Sequence, residues 1–161
     1  MNESADTPKS AGPGHPCEWR GFTLRALLVF GGIAPFLPAW TEGIPGLAGF
    51  GRALDAWFSF QCHREAARSF GASAVCTRCL GIYVGLALGA LLVRPRLAPK
   101  AHVLWMLAAS VALVADVVSE ALGIRASSAP LRFVTGFALA YPAGVSLVRA
   151  FTQRGPAGAV S

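Results

Sequence analysis

The stretch Cys76-Thr77-Arg78-Cys79-Leu80-Gly81-Ile82-Tyr83-Val84-Gly85-Leu86-Ala87-Leu88-Gly89 passes from a C-x-x-C pair into an apolar segment with glycine at every fourth position. Side chains three and four apart share a helix face. On a helix, Cys76, Cys79 and Tyr83 line one face, and Gly81, Gly85 and Gly89 line the opposite one. In an apolar helix, G-x-x-x-G-x-x-x-G lets a second backbone approach closely. The segment reads as a membrane span that packs through glycine and carries thiols at its mouth. The partner backbone is either another span of the chain or a second copy in a homodimer.

Composition fits that setting. Of 161 residues, 54% are hydrophobic and 14% charged, against about 25% charged in ordinary soluble domains. The expected fold is an all-α, four-span transmembrane helical bundle, with spans at about 22–40, 74–93, 102–122 and 133–148, each near the roughly 20 residues that cross a bilayer. Residues 1–18 read as a disordered cytoplasmic tail, 19–154 as a single membrane domain and 155–161 as a flexible tail. The long polar stretch ahead of the first span favours a retained helix over a cleaved signal peptide. Pro35 and Pro38 are expected to kink that span. Phe50 to Gln61 is amphipathic, with Leu54, Trp57 and Phe58 on one face. It reads as a short interfacial helix anchored by Trp57.

Charge sets the orientation. With the N-terminus inside, Lys9, Arg20, Arg25, Arg94, Arg96, Lys100, Arg149 and Arg154 are cytoplasmic, and Arg52, Arg64, Arg68, Arg78, Arg125 and Arg132 are outside. Eight against six places a multi-pass protein in the cell membrane with both termini cytoplasmic. The six outer arginines depart from the usual depletion and point to a local role. The net charge is +6, yet no basic stripe interleaves with exposed aromatics. The expected partner is therefore the lipid bilayer and not nucleic acid.

Three of the four cysteines, Cys62, Cys76 and Cys79, gather near His63. Three thiolates and an imidazole form a ligand set for tetrahedral zinc. If only one of the adjacent Cys62 and His63 binds, a position opens, and copper or iron also suits the donors. A second reading is thiol–disulfide redox at Cys76 and Cys79, with Cys62 as resolving thiol and a quinone in the bundle. A helix N-terminus and Arg78 would favour thiolate there. A third is a structural disulfide or buried thiols. Cys17 precedes the first span, His15 falls in the tail, and His102 opens the third span on the inner side.

Asp116 and Glu120 share one face of an otherwise apolar span, where a charge costs about 2.5–3.5 kcal/mol at the centre. Arg125 and Arg132 are the expected partners, with Thr135 one turn into the next span. The carboxylates read either as a proton- or ion-coupled transport site or as a structural ion pair. Arg68, Ser69 and Arg78 complete a polar cluster in the outer half. Tyr141-Pro142 reads as a kink.

Together, Cys62-His63-Arg64, Arg68-Ser69-Phe70, Cys76-x-Arg78-Cys79-x-Gly81-Ile82-Tyr83-x-Gly85, Asp116, Gly123-Ile124-Arg125, Ser127 and Leu131-Arg132-x-x-Thr135-Gly136 resemble the predicted membrane proteins of domain-of-unknown-function family 2085. The resemblance covers residues 55–140. Arg64 stands where that family commonly has Gln, Ala67 where it has Pro, and Leu80 where a small polar residue is common. The resemblance implies a small integral membrane protein and no particular activity.

Overall fold

The computed structural model describes residues 16–61, 69, 73–93, 97–126 and 128–153. Cys62, His63 and Arg68 lie outside these residues. The elements are α1 (Pro16–Ile33), a 3₁₀ turn (Ala34–Phe36), α2 (Leu37–Thr41), α3 (Ala48–Gln61), α4 (Thr77–Leu92), α5 (Pro99–Ala121) and α6 (Ala129–Gln153).

From α1 to α2 the chain is one bent run. Pro35 and Pro38 lack the N–H that a helix ladder needs. The backbone therefore tightens into the 3₁₀ turn, closed by the Leu37 N–H on Ala34 O. The α-helix is interrupted where the kink is expected, and α1 begins at Pro16, so the last residues assigned to the tail are helical.

Among the described residues, three stretches are long and apolar enough to cross a membrane: Trp19–Thr41, Pro99–Ala121 and Ala129–Thr152. The expected span at 74–93 is shorter. Helix α4 has 16 residues, or about 24 Å at 1.5 Å per residue, against a hydrocarbon core of about 30 Å. Its front end is lost because Cys76 is the N-cap, with extended backbone at φ −67° and ψ 158°. Ser73, Ala74 and Val75 belong to the preceding loop, where the Ser73 hydroxyl donates to Val75 O at 2.9 Å. At the other end Val93 turns into the left-handed region at φ 48° while its N–H closes on Gly89 O. The other two helices outrun their expected spans. Pro99 starts α5, where a missing N–H is harmless, and α6 continues through Pro142.

The centre of the fold is the α4–α6 contact. A Cβ added to Gly81 or Gly89 would collide with the carbonyl oxygen of Phe133 or Tyr141, and one on Gly85 would lie 2.9 Å from Phe137 O. The fit is reciprocal, since Gly136 meets Arg78 O and Gly144 meets Leu86 O. The glycine face is therefore filled by α6 of the same chain, and a homodimer through it would have to displace that helix. Helix α1 joins through Gly32, which sits against Ala87 and Tyr83.

Helix α5 docks differently. It packs on α6, with most of its apolar surface exposed, and polar contacts fasten it along its length. Ser146 Oγ and His102 Nε2 share a hydrogen bond of 2.6 Å. One turn on, Trp105 Nε1 donates to Ala138 O at 3.0 Å. Ala138 O is the acceptor that Pro142 cannot serve, four residues later in α6. The indole replaces the missing donor, as a span without water requires. At the far end Asp116 and Glu120 meet three arginines.

Helix α3 is amphipathic, but its expected apolar face divides. Phe58 is buried in a core with Ala34, Ala74, Val75 and Leu80, edge-on to Tyr83. Leu54 packs against that core, while Trp57 points outward, 61% exposed.

Gly81→Ala or Gly89→Ala should destabilise the protein by about 1–3 kcal/mol, the range for overpacking, with a lower thermal midpoint in detergent. Gly31→Ala, with nothing near its Cβ, should not. Trp105→Phe strands a carbonyl and should cost about 1–3 kcal/mol in the same assay.

Candidate functional site

The site is assembled where the α1–α2 bend, the loop before α4 and the adjoining ends of α3, α5 and α6 meet. The bend anchors the loop, since Ala74 N–H donates to Pro35 O at 2.8 Å. Ala74 and Val75 then bury themselves beside Ala34 and Phe58. This fixes the residue that follows, Cys76, as the first of the C-x-x-C pair. Its carbonyl accepts Leu80 N–H at 2.9 Å, and its backbone pairs with Ser69 in a lone antiparallel bridge. Cys79 sits in the first turn of α4. No disulfide joins Cys76 to Cys79, and both are half-buried.

Cys79 faces a cavity of about 260 Å³ lined also by Gln61, Val75, Ile82 and Tyr83. The Tyr83 hydroxyl donates to Gln61 Oε1, tying the last residue of α3 to the α4 face that carries Cys79. Cys62 and His63 come next in the chain. Residues 62–68 thus leave from Gln61, held at Tyr83, and return to Ser69, paired with Cys76. Both ends of the segment with the remaining candidate ligands are fastened to the start of α4. Among the described residues no group of three or more His, Cys, Asp and Glu is placed to hold a metal ion, and Cys62 and His63 are not among them.

Arg78, between the two cysteines in sequence, turns toward α5. Its Nη2 lies 2.7 Å from Asp116 Oδ2 and 3.4 Å from Glu120 Oε2. Arg125 pairs with the other oxygen, Asp116 Oδ1. Thr135 Oγ1 lies 3.4 Å from Asp116 Oδ2 and 3.1 Å from Arg132 O. Arg132 grips Glu120 with two nitrogens, Nε at 2.9 Å from Oε2 and Nη2 on Oε1. Asp116 is almost fully buried, its side chain 2% exposed, and that of Arg132 is 4% exposed. A charge at such a position is tolerable only when paired and hydrogen-bonded.

Of the expected cluster, Arg78, Asp116, Glu120, Arg125, Arg132 and Thr135 come together with the expected arginines on the two carboxylates, while Ser69 pairs with Cys76 and Arg68 lies outside the described residues. Arg125 does meet Asp116, whereas Arg132 meets Glu120, and Arg78 joins both carboxylates. The arginine expected to sit beside the thiols instead bolts the C-x-x-C turn to α5. Its Nε is buried with no hydrogen-bond partner among the described residues, and both of its ion pairs to α5 run through Nη2. Gly136, Ala140 and Gly144 form a packing stripe that the sequence expectations do not include, although their four-residue spacing in α6 mirrors the stripe in α4.

A family model described as a predicted membrane protein, domain of unknown function 2085, matches residues 62–146. The chain is 34% identical over 93 residues to an uncharacterized protein of Methanocaldococcus jannaschii, covering 52% of this chain and 59% of that one. The chain thus spans about three fifths of that relative's length. No solved structure matches the chain. The family match holds the C-x-x-C turn and all six residues of the ionic cluster, while α1 to α3 precede it.

Asp116→Asn would leave Arg125 without its carboxylate partner and Arg78 with only its longer contact to Glu120. It should lower stability by on the order of 3 kcal/mol, read as a fall in the detergent melting midpoint. Removing both Glu120 and Arg132, each as Gln, should cost less than the sum of the single changes, in a double-mutant cycle that reports their coupling.

Proposed function

We propose that this chain, which belongs to the predicted membrane proteins of domain-of-unknown-function family 2085, binds a metal ion through Cys62, His63, Cys76 and Cys79 at the outer face of the membrane. The observation that carries this reading is that Gln61 and Ser69, the described residues on either side of 62–68, both contact the α4 region that carries the C-x-x-C pair. Gln61 is bonded to Tyr83 beside Cys79, and Ser69 is paired with Cys76. Gln61, the residue before Cys62 in the chain, lines the same cavity as Cys79. Three thiolates and one imidazole favour zinc, and copper or iron suits the same donors if one position stays open. The ionic cluster then acts as the frame of the site, since Arg78 cannot move without dragging its bonds to α5.

The reading includes a four-span topology. Helix α4 crosses as a short span, supported by its burial between α1 and α6. Helix α3 lies at the outer interface, supported by exposed Trp57 and Phe60 opposite buried Phe58. Both termini are cytoplasmic, supported by the excess of basic residues at the ends joined to them.

Two other roles compete for the same residues. A thiol–disulfide oxidoreductase would use Cys76 and Cys79, favoured by their place at a helix N-terminus. A proton- or ion-coupled transporter would use Asp116 and Glu120. Against the latter, both carboxylates already hold arginines, which suits a structural frame better than an exchangeable proton site.

Metal analysis of the purified full-length protein decides among them. About one zinc per chain is expected, lost in Cys76→Ser and in Cys79→Ser and weakened in Gln61→Ala. Metal-free protein, or a metal content indifferent to Cys76→Ser, would overturn the reading. Metal-free protein with a reversible Cys76–Cys79 disulfide on alkylation analysis would favour the oxidoreductase.

A further inference from the structure

The end of the molecule opposite the C-x-x-C turn carries a separate feature. Gly21 of α1 packs against the Thr152 side chain of α6, bringing the start of one helix to the end of the other. Beside this contact lies a groove of about 500 Å³, lined by Trp19, Arg20, Thr23, Leu24, Leu27 and Phe151. Along α1 the lining changes character. Trp19, Arg20 and Thr23 form the polar rim at the helix start, and Leu24 and Leu27 continue inward, with Phe151 opposite. From Arg20 to Leu27 is about 10 Å of helix at 1.5 Å per residue. Trp19 is 70% exposed, an indole placed as at a headgroup boundary.

Among the described residues, Arg20, Arg25, Lys100 and Arg149 lie toward the helix ends on this side. Arg149 reaches Val93 O there at 3.4 Å, which places the close of α4 beside the close of α6. The segments joined to this end hold eight basic residues, Lys9, Arg20, Arg25, Arg94, Arg96, Lys100, Arg149 and Arg154, against three acidic ones, Glu3, Asp6 and Glu18. Five of the six net positive charges thus belong to it. A greasy groove with a cationic rim, in a strongly positive surround, is complementary to an anionic lipid. A second copy of the chain would bring the same positive charge against it.

We propose that this groove binds an anionic glycerophospholipid, its phosphate on Arg20 and one acyl chain along Leu24, Leu27 and Phe151. The proposal is independent of the metal reading, because it concerns the other end of the bundle.

Native mass spectrometry of the full-length protein in detergent tests it, by titration with phosphatidylglycerol and with phosphatidylcholine of identical acyl chains. Phosphatidylglycerol should bind more tightly. Arg20→Gln should weaken it by about fivefold, the effect of one basic residue near a membrane surface. Thr23→Trp, which keeps the charge but fills the groove, should weaken both lipids. Arg25→Gln, one turn on and off the groove, should change affinity by less than about twofold if the site is local. Equal affinity for the two headgroups would overturn the proposal. So would equal losses in Arg20→Gln and Arg25→Gln, or a dimer that excludes lipid.

Discussion

Backbone-to-backbone contact between α4 and α6 is the constraint on which the rest of this structure depends. Without a Cβ at Gly81, Gly85 and Gly89, carbonyl groups of α6 enter the surface of α4. In lipid there is little hydrophobic gain from pairing helices, so close van der Waals fit has to supply the association. That contact fixes the rotation of α4 about its axis. With the glycines facing α6, Cys79 and Tyr83 are turned toward α3, and Arg78 is turned toward α5. The short α4 is thus an organising post, with a different job on each side.

Around this post the helices are held by two kinds of force. Helix α1 follows α4 by shape, through Gly32. Helix α5 is held by a hydrogen bond at His102, an indole at Trp105 and an ionic cluster at Asp116 and Glu120. Polar contacts between spans are individually modest, often near 0.6 kcal/mol in measured cases. Their value here is in register: a shift of α5 along α6 by one turn would misplace all three at once. The Trp105 bond also lets α6 carry Pro142 inside a long apolar helix without leaving Ala138 O bare.

Much of this was legible in the residue order. The glycine spacing announced a close-packed helix, and the carboxylates announced an ionic cluster with Arg125, Arg132 and Thr135, because such groups are too costly to leave alone in an apolar span. Other features were not legible, for physical reasons. The start of α4 was misplaced because Ser73, Ala74 and Val75 are small or apolar and extend the hydrophobic run, while their burial under the α1–α2 bend is a tertiary fact. The direction of Arg78 depends on the rotation of α4, which follows from its fit to α6. The matching stripe of Gly136, Ala140 and Gly144 was overshadowed by Phe133, Phe137 and Tyr141, whose stacked rings dominate the sequence pattern. Trp105 and Pro142 are related only through the docking of two helices.

The ionic cluster has a consequence for how the protein is made. Chains are synthesised from the N-terminus, and Asp116 and Glu120 emerge before Arg125 and Arg132. When α5 first meets the bilayer, its carboxylates have only one member of the cluster already synthesised, Arg78 on α4. An early bond between them would shelter both carboxylates and hold α5 near α4 until α6 arrives. The arrival of α6 would then replace a provisional pair with the finished network, since it brings Arg132, Thr135 and the glycine-complementary surface together. Arg78 is in this sense the first counter-charge available: it belongs to the first-made half of the cluster, and Arg125 and Arg132 follow it in the order of synthesis.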